Sequence, residues 1–222
     1  MTDFLTTKRY KCATVYVNQY SRLGYVYLQK TASAEETVEG KKAFEAFARQ
    51  HGVQILNYHA DNGIFKAHPL WMEECKRMLQ GMAFAGVNAH HQNGIAERRI
   101  RELQELARAM LIHAASRWAD SVTANLWPYA IRHACEAINN TPSFQNDQRK
   151  RPIELFTGSK VADNPKHWKH LHCQYIFWTM ISKVRDRSIN GSTGQGRAYD
   201  TSESRPNTPE TWRWCWTGIV HW

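Results

Sequence analysis

The chain has 222 residues, enough for one sizeable core or for a domain with a tail. Its formal charge of +9, from 29 Lys and Arg against 20 Asp and Glu, favours a polyanionic partner, of which nucleic acid is the commonest, although a generic basic globular protein carries such a charge equally well. Its apolar runs are too short to span a membrane, and Met1-Thr2-Asp3-Phe4 does not read as a signal peptide.

Five cysteines (Cys12, Cys75, Cys135, Cys173, Cys215) are scattered without a C-x-x-C pair. That count and spacing exclude a disulfide framework and predict reduced thiols in an intracellular or nuclear protein. His170, His172 and Cys173 cluster, but no second ligand pair follows at zinc-finger spacing, so a polar loop is the expected reading.

In chain order, Lys11 to Asn18 and Gly24 to Gln29 are rich in β-branched and aromatic residues, and their short link predicts an antiparallel hairpin. Ser33 with Glu36 forms a capping box. Val38, Ala43, Phe44, Phe47 and Ala48 then give a helical face that Gly52 ends. Val53 to Tyr58 reads as a strand, Leu70 to Gln80 as a helix and Met82 to Ala85 as a short strand. Asn93 can cap a helix from about Ile95 to Arg117. Its buried stripe is expected at Ile100, Leu103, Leu106, Met110, Leu111 and Ala114, while Glu97, Arg101, Gln104 and Arg108 share another face. Trp127 to Asn139 is a further helix, and Pro152 to Phe156 is a short helical turn before Gly158.

Asp61 stands just past the third strand in Tyr58-His59-Ala60-Asp61-Asn62-Gly63, and Glu97 lies 36 positions later in the first turn of the long helix. Each is bland alone: Asp-Asn-Gly is an ordinary turn, and an early Glu complements the helix dipole. As a pair they suit phosphoryl transfer. Two Mg²⁺ ions, roughly 3.5–4 Å apart, can hold the attacking and leaving oxygens, and Mg²⁺ takes hard carboxylate ligands while keeping several waters.

Residues 10 to about 175 resemble the integrase core of copia-type retrotransposon polyproteins. The matching segments are Ala13-Thr14-Val15-Tyr16-Val17-Asn18-Gln19-Tyr20-Ser21-Arg22, Tyr58-His59-Ala60-Asp61-Asn62-Gly63-Ile64-Phe65 and Asn88-Ala89-His90-His91-Gln92-Asn93-Gly94-Ile95-Ala96-Glu97-Arg98. Leu126-Trp127-Pro128-Tyr129-Ala130, Asn139-Asn140-Thr141-Pro142 and Arg151-Pro152-Ile153-Glu154-Leu155-Phe156-Thr157-Gly158 extend the match. The resemblance implies an α/β, ribonuclease-H-like mixed sheet flanked by helices. It implies a polynucleotidyl transferase that integrates element DNA, with Mg (or Mn) in a two-ion site and DNA as partner, and it is compatible with a homo-oligomer. By the same resemblance Asp61 and Glu97 are metal ligands, Asn62 and Gly63 shape the strand-end turn, and Gln92, Asn93 and Gly94 form a mobile loop beside the site. Arg98, Arg101 and Arg108 contact phosphates, with a solvated helix face as the equal alternative for each.

The sequence departs from the family at both ends. The family's first Asp lies on the first, central strand, whereas the first clear strand here matches the family's second. Asp3 is the sole acidic residue upstream, and no strand is there to hold it. Asn18 stands where relatives commonly carry Asp, at a position that is not catalytic. The expectation is a core over residues 1–175 that lacks its central strand, followed by a disordered tail over 176–222. Arg185 to Glu210 is polar and precedes Trp212-Arg213-Trp214-Cys215-Trp216. Tryptophan's TGG codon, read one nucleotide earlier, gives Leu, Val or Met, so these alternating tryptophans look like an aliphatic strand in the wrong frame. A frameshift near Tyr175 to Trp178 is therefore expected. Three readings follow: a degenerate integrase-core fragment with its chemistry lost, a working integrase truncated at its start, or a non-enzymatic basic DNA-binding protein.

Overall fold

The computed structural model describes residues 10–60, 69–84, 94–119, 122–142, 149–160 and, for the backbone, 215–221. These residues belong to one compact unit of mixed α/β architecture. Strands β1 (Cys12–Asn18) and β2 (Gly24–Gln29) form the expected hairpin, with Val15 opposite Val26. Asn18 closes the turn, its Oδ1 accepting from the backbone N–H and the hydroxyl of Ser21, both at 2.7 Å.

Helix α1 (Ala34–Gln50) starts at Ser33, whose hydroxyl accepts from the Glu36 N–H at 3.3 Å. The Glu36 carboxylate reaches back to the backbone of Lys30 and Thr31, which ties the helix start to the end of β2. Gly40 lets α1 lie close on the sheet: a Cβ there would meet a Tyr27 ring carbon at 2.7 Å and the Tyr16 hydroxyl at 3.0 Å. Tyr16 stacks on Phe44 with ring centroids 5.0 Å apart, in a core that includes Leu23, Ile55, Tyr58, Trp71 and Phe156.

Strand β3 spans Asn57–Ala60, so it begins four residues after the expected Val53. The backbone ahead of it is satisfied elsewhere. The Val53 N–H bonds back to Ala48 O in α1, and Ile55 O accepts from the Gln80 side chain. Helix α2 (Pro69–Arg77) stops three residues before the expected Gln80, because Leu79 takes the left-handed conformation (φ 55) and Gln80 N closes on Cys75 O. Strand β4 is Gly81–Phe84.

Helix α3 (Gly94–Arg117) carries the long predicted stripe, with Leu103, Leu111 and Ala114 buried as expected. Ile100, Leu106 and Met110 are half-buried, and Ala96, Arg99 and Ala107 take the deep positions instead. A 3-10 turn (Ala124–Leu126) leads into α4 (Trp127–Asn140), and α5 (Pro152–Thr157) ends at Gly158 with φ 67. Helices α3 and α4 pack on each other, with α3 against β1 and α4 against β2, while α1 packs on α2 and the β1–β2 hairpin. None of the described helices is long and apolar enough to cross a membrane.

The centre of the sheet departs most from the sequence expectation. Strand β5 (Cys215–His221) completes the order β2-β1-β5-β3-β4. The expected gap is thus filled, and the expectation of a tail without structure fails for these seven residues. Two causes act together. Trp216, Thr217, Ile219 and Val220 favour extended backbone. The facing ladders of β1 and β3 would otherwise leave unpaired groups, at about 1–3 kcal/mol for each one buried. β5 runs parallel to β1 over Cys12–Asn18 and antiparallel to β3 over Tyr58–Ala60. A strand entering through a short turn ahead of Tyr10 would instead run antiparallel to β1. The remainder of 176–214 lies outside the described residues.

Candidate functional site

Ala60, fully buried, is the last residue of β3, and Asp61 follows it directly in the chain. Asp61, Asn62, Gly63, Gln92 and Asn93 lie outside the described residues, and so does the expected meeting of Asp61 with Glu97. Glu97 occupies the first turn of α3 and is exposed. A carboxylate there faces the unpaired N–H groups of the helix start. Gly94, expected in a loop, is the first residue of α3.

Arg98, Arg101 and Arg108 all reach solvent from α3. Arg98 pairs with Glu102 at 3.1 Å, one turn on, and its side chain stays 66% exposed. That pair is weak enough in water to be exchanged for a phosphate. Arg99, between them in sequence, behaves otherwise. It is buried, donates to Arg22 O at 2.6 Å and pairs with Glu102 at 3.1 Å. Burial pulls its guanidinium below the ordinary arginine range, which the Glu102 carboxylate opposes. It holds the hairpin turn against α3 rather than facing a ligand. The basic run Arg98-Arg99 gives no sign of this division until the buried stripe of α3 is known.

A buried polar cluster at the root of β3 was not read from the sequence. Glu45 Oε1 accepts from Lys41 Nζ at 2.7 Å, Tyr58 OH at 2.8 Å and Gln80 Nε2 at 2.8 Å. Lys41 is fully buried and lies 5.4 Å from the Tyr58 ring centroid. Burial, reinforced by the Glu45 charge, pushes the Tyr58 hydroxyl far above the ordinary tyrosine range. Cys75 nearby is pushed by burial to about 11. Lys41 and Glu45 at i, i+4 gave a signal, but exposed pairs share that spacing. The cluster fixes Tyr58, three residues before Asp61, against α1. An open cleft of about 390 Å³ beside it is lined by Glu45, Arg49, Val53, Ile55, Met78 and Gln80.

The resemblance implies a site for Mg (or Mn), and the donors present are the test of fit. Among the described residues no three of His, Cys, Asp or Glu converge on a point where a metal ion could sit. The strand at the centre of the sheet reads Cys215-Trp216-Thr217-Gly218-Ile219-Val220-His221 and brings no carboxylate. Asp61 lies outside the described residues, and among the described ones Glu97 and the carboxylate-free central strand do not by themselves make a two-ion site.

No protein-family model and no curated protein matches the chain. Among solved structures, it is similar to the catalytic core domain of HTLV-2 integrase in complex with magnesium. The trimeric form aligns with a TM-score of 0.45 and 18% identity, over 62% of this chain and 79% of that one. The dimeric form aligns with a TM-score of 0.45 and 18% identity, over 66% of this chain and 92% of that one.

Proposed function

We propose that the chain is a degenerate integrase-core fragment of a copia-type element, which binds DNA through α3 and does not join it. The motif resemblance supports the ancestry. The observation that carries the reading of function is the division of labour on α3: Arg98, Arg101 and Arg108 face solvent from the helix that Glu97 opens. Phosphate contacts from such arginines give affinity without sequence preference. The reading of lost chemistry is supported by the sequence of the central strand, which carries no carboxylate to stand with Asp61 and Glu97.

The test measures both halves on the purified chain. Binding to duplex DNA, followed by fluorescence anisotropy against salt, is expected to weaken steeply as salt rises. Joining of labelled donor ends to a target in Mg²⁺ or Mn²⁺ is expected to be absent. Metal-dependent joining that Glu97→Gln abolishes would restore the working-integrase reading. Salt-insensitive or absent DNA binding would remove the nucleic-acid reading altogether.

A further inference from the structure

We propose that the cleft between the end of α1 and the turn after α2 binds a small carboxylate that carries an N–H or O–H donor on an apolar ring. The site uses none of the α3 arginines and stands apart from the DNA-binding reading. The cleft holds about 390 Å³, within the roughly 300–1,000 Å³ usual for small-molecule sites. Three stretches of chain build it: Glu45 and Arg49 from α1, Val53 and Ile55 ahead of β3, and Met78 and Gln80 on either side of the left-handed Leu79.

Gln80 sets the first demand on a ligand. Its Nε2 donates to Glu45 Oε1 at 2.8 Å and to Ile55 O at 2.9 Å. Both partners are acceptors, so turning the amide over would set oxygen against oxygen. The Gln80 Oε1 is therefore fixed in place, and it is buried without a hydrogen bond among the described residues. A buried acceptor left without a donor carries its full desolvation cost. Glu45 adds to the same deficit. Its Oε1 takes Lys41, Tyr58 and Gln80, while no described donor reaches its Oε2. The lining thus holds acceptors and asks for a donor.

Arg49 sets the second demand. It is exposed, its Nε donates to Glu45 O at 3.3 Å, and its terminal guanidinium nitrogens have no partner among the described residues. The Glu45 charge is matched by Lys41 at 2.7 Å, so the net charge of the lining is that of Arg49. A free guanidinium selects a carboxylate, which it can hold through two parallel hydrogen bonds. Val53, Ile55 and Met78 supply apolar wall, and the flexible thioether of Met78 adapts well to a ring. One molecule meets all three conditions: a carboxylate at Arg49, a ring against the apolar wall and a donor toward Gln80. A cation would be repelled by Arg49, and a purely apolar ligand would leave the acceptors unmet.

The experiment titrates the isotope-labelled full chain with three probes and follows its amide NMR spectrum. The probes are indole-3-propionate, its N-methyl analogue, which lacks the donor, and its amide, which lacks the charge. Indole-3-propionate should give saturable shifts at the Gln80 side-chain amide and at Val53 and Ile55. A Kd of roughly 1 mM or tighter is expected for a ligand of about fourteen non-hydrogen atoms. The N-methyl analogue and the amide should each bind roughly tenfold more weakly. In Arg49→Met, which keeps the apolar stem, indole-3-propionate and its amide should bind alike, while the N-methyl analogue keeps its penalty. No saturable shift up to roughly 10 mM, affinity for either analogue equal to that for indole-3-propionate in the wild-type chain, or shifts confined to other residues would each overturn the site. The comparison of the three probes on the wild-type chain decides even where Arg49→Met fails to fold.

Discussion

The side chain of Asn139 satisfies both backbone groups of Gly24, 115 residues away: its Nδ2 donates to Gly24 O at 2.7 Å, and its Oδ1 accepts from Gly24 N at 2.8 Å. Cys135, one turn earlier in α4, donates to the same carbonyl at 3.2 Å. The start of β2 is an edge position, and a helix side chain replaces the missing neighbouring strand. Asn139→Ala is expected to destabilise the chain by about 1–3 kcal/mol in urea unfolding, since two partly buried backbone groups lose partners. Asn139→Asp keeps the acceptor and loses the donor, so it should remain destabilised. Wild-type stability in either variant would remove this role.

The Lys41–Glu45 pair predicts a non-additive double mutant. Glu45→Ala leaves the fully buried Lys41 ammonium without its carboxylate and is expected to cost about 3–5 kcal/mol. Lys41→Met with Glu45→Leu removes both charges and should cost less than Glu45→Ala alone. Thermal and urea unfolding of the variants read this directly. A double mutant as unstable as the sum of the singles would show that the two residues act separately.

Alkaline pH should unfold the chain through buried acids. Burial raises Tyr16, Tyr58, Cys75 and Cys135 in the folded state. For a raised folded value, stability is fully present below the unfolded value and is lost as pH climbs toward the folded one. Unfolded cysteine titrates near about 8.5 and tyrosine near about 10. Cys135, raised to about 12, alone removes about 1.4 kcal/mol for each pH unit above roughly 8.5. Urea midpoints measured from neutral pH upward should therefore fall from about pH 9. Tyrosinate absorbance should develop in two phases, the second coinciding with unfolding. A flat stability profile to pH 11, taken as a rough upper limit, would contradict the burial of these groups.

Replacing Arg101 or Arg108 by Ala should weaken DNA binding uniformly across sequences and lower the salt slope by about 1 each. Arg99→Ala should instead destabilise the fold, because its guanidinium holds Arg22 O at 2.6 Å. Anisotropy titrations at several salt concentrations separate the two outcomes. If Arg99→Ala changes the salt slope while Arg101→Ala does not, the assignment of faces on α3 is inverted.

The hairpin, the helices and the order of elements were legible because each carries a local signal: alternation in β1, the Ser33 cap, the period of α3. Boundaries failed where tertiary partners decide them. Val53 looks like strand, but its N–H finds Ala48 O, and Leu79 ends α2 through a left-handed turn. The long basic helix was legible as a face, whereas the inward turn of Arg99 was not, because it depends on where the Arg22 carbonyl lies. β5 was misread for a further reason. Its tryptophan-rich neighbourhood suggested a reading-frame error, and a suspected origin of that kind does not decide whether Thr217, Ile219 and Val220 can pair. Strand pairing asks for extended backbone and apolar side chains, and sequence of any origin can supply both.

A sheet whose middle strand is near the end of its sequence has a distinct problem during synthesis. β1 and β5 are register partners, but roughly 200 residues separate them, which is a non-local pairing of the slowest kind. At about 5–20 residues per second, a ribosome needs roughly ten to forty seconds to deliver β5 after β1 has emerged. Throughout that interval β1, and β3 from the moment it emerges, present open ladders to other extended chains. The chain therefore cannot complete its core as it is made. Its yield should depend on chaperone capacity and translation speed more than on the stability of the finished fold.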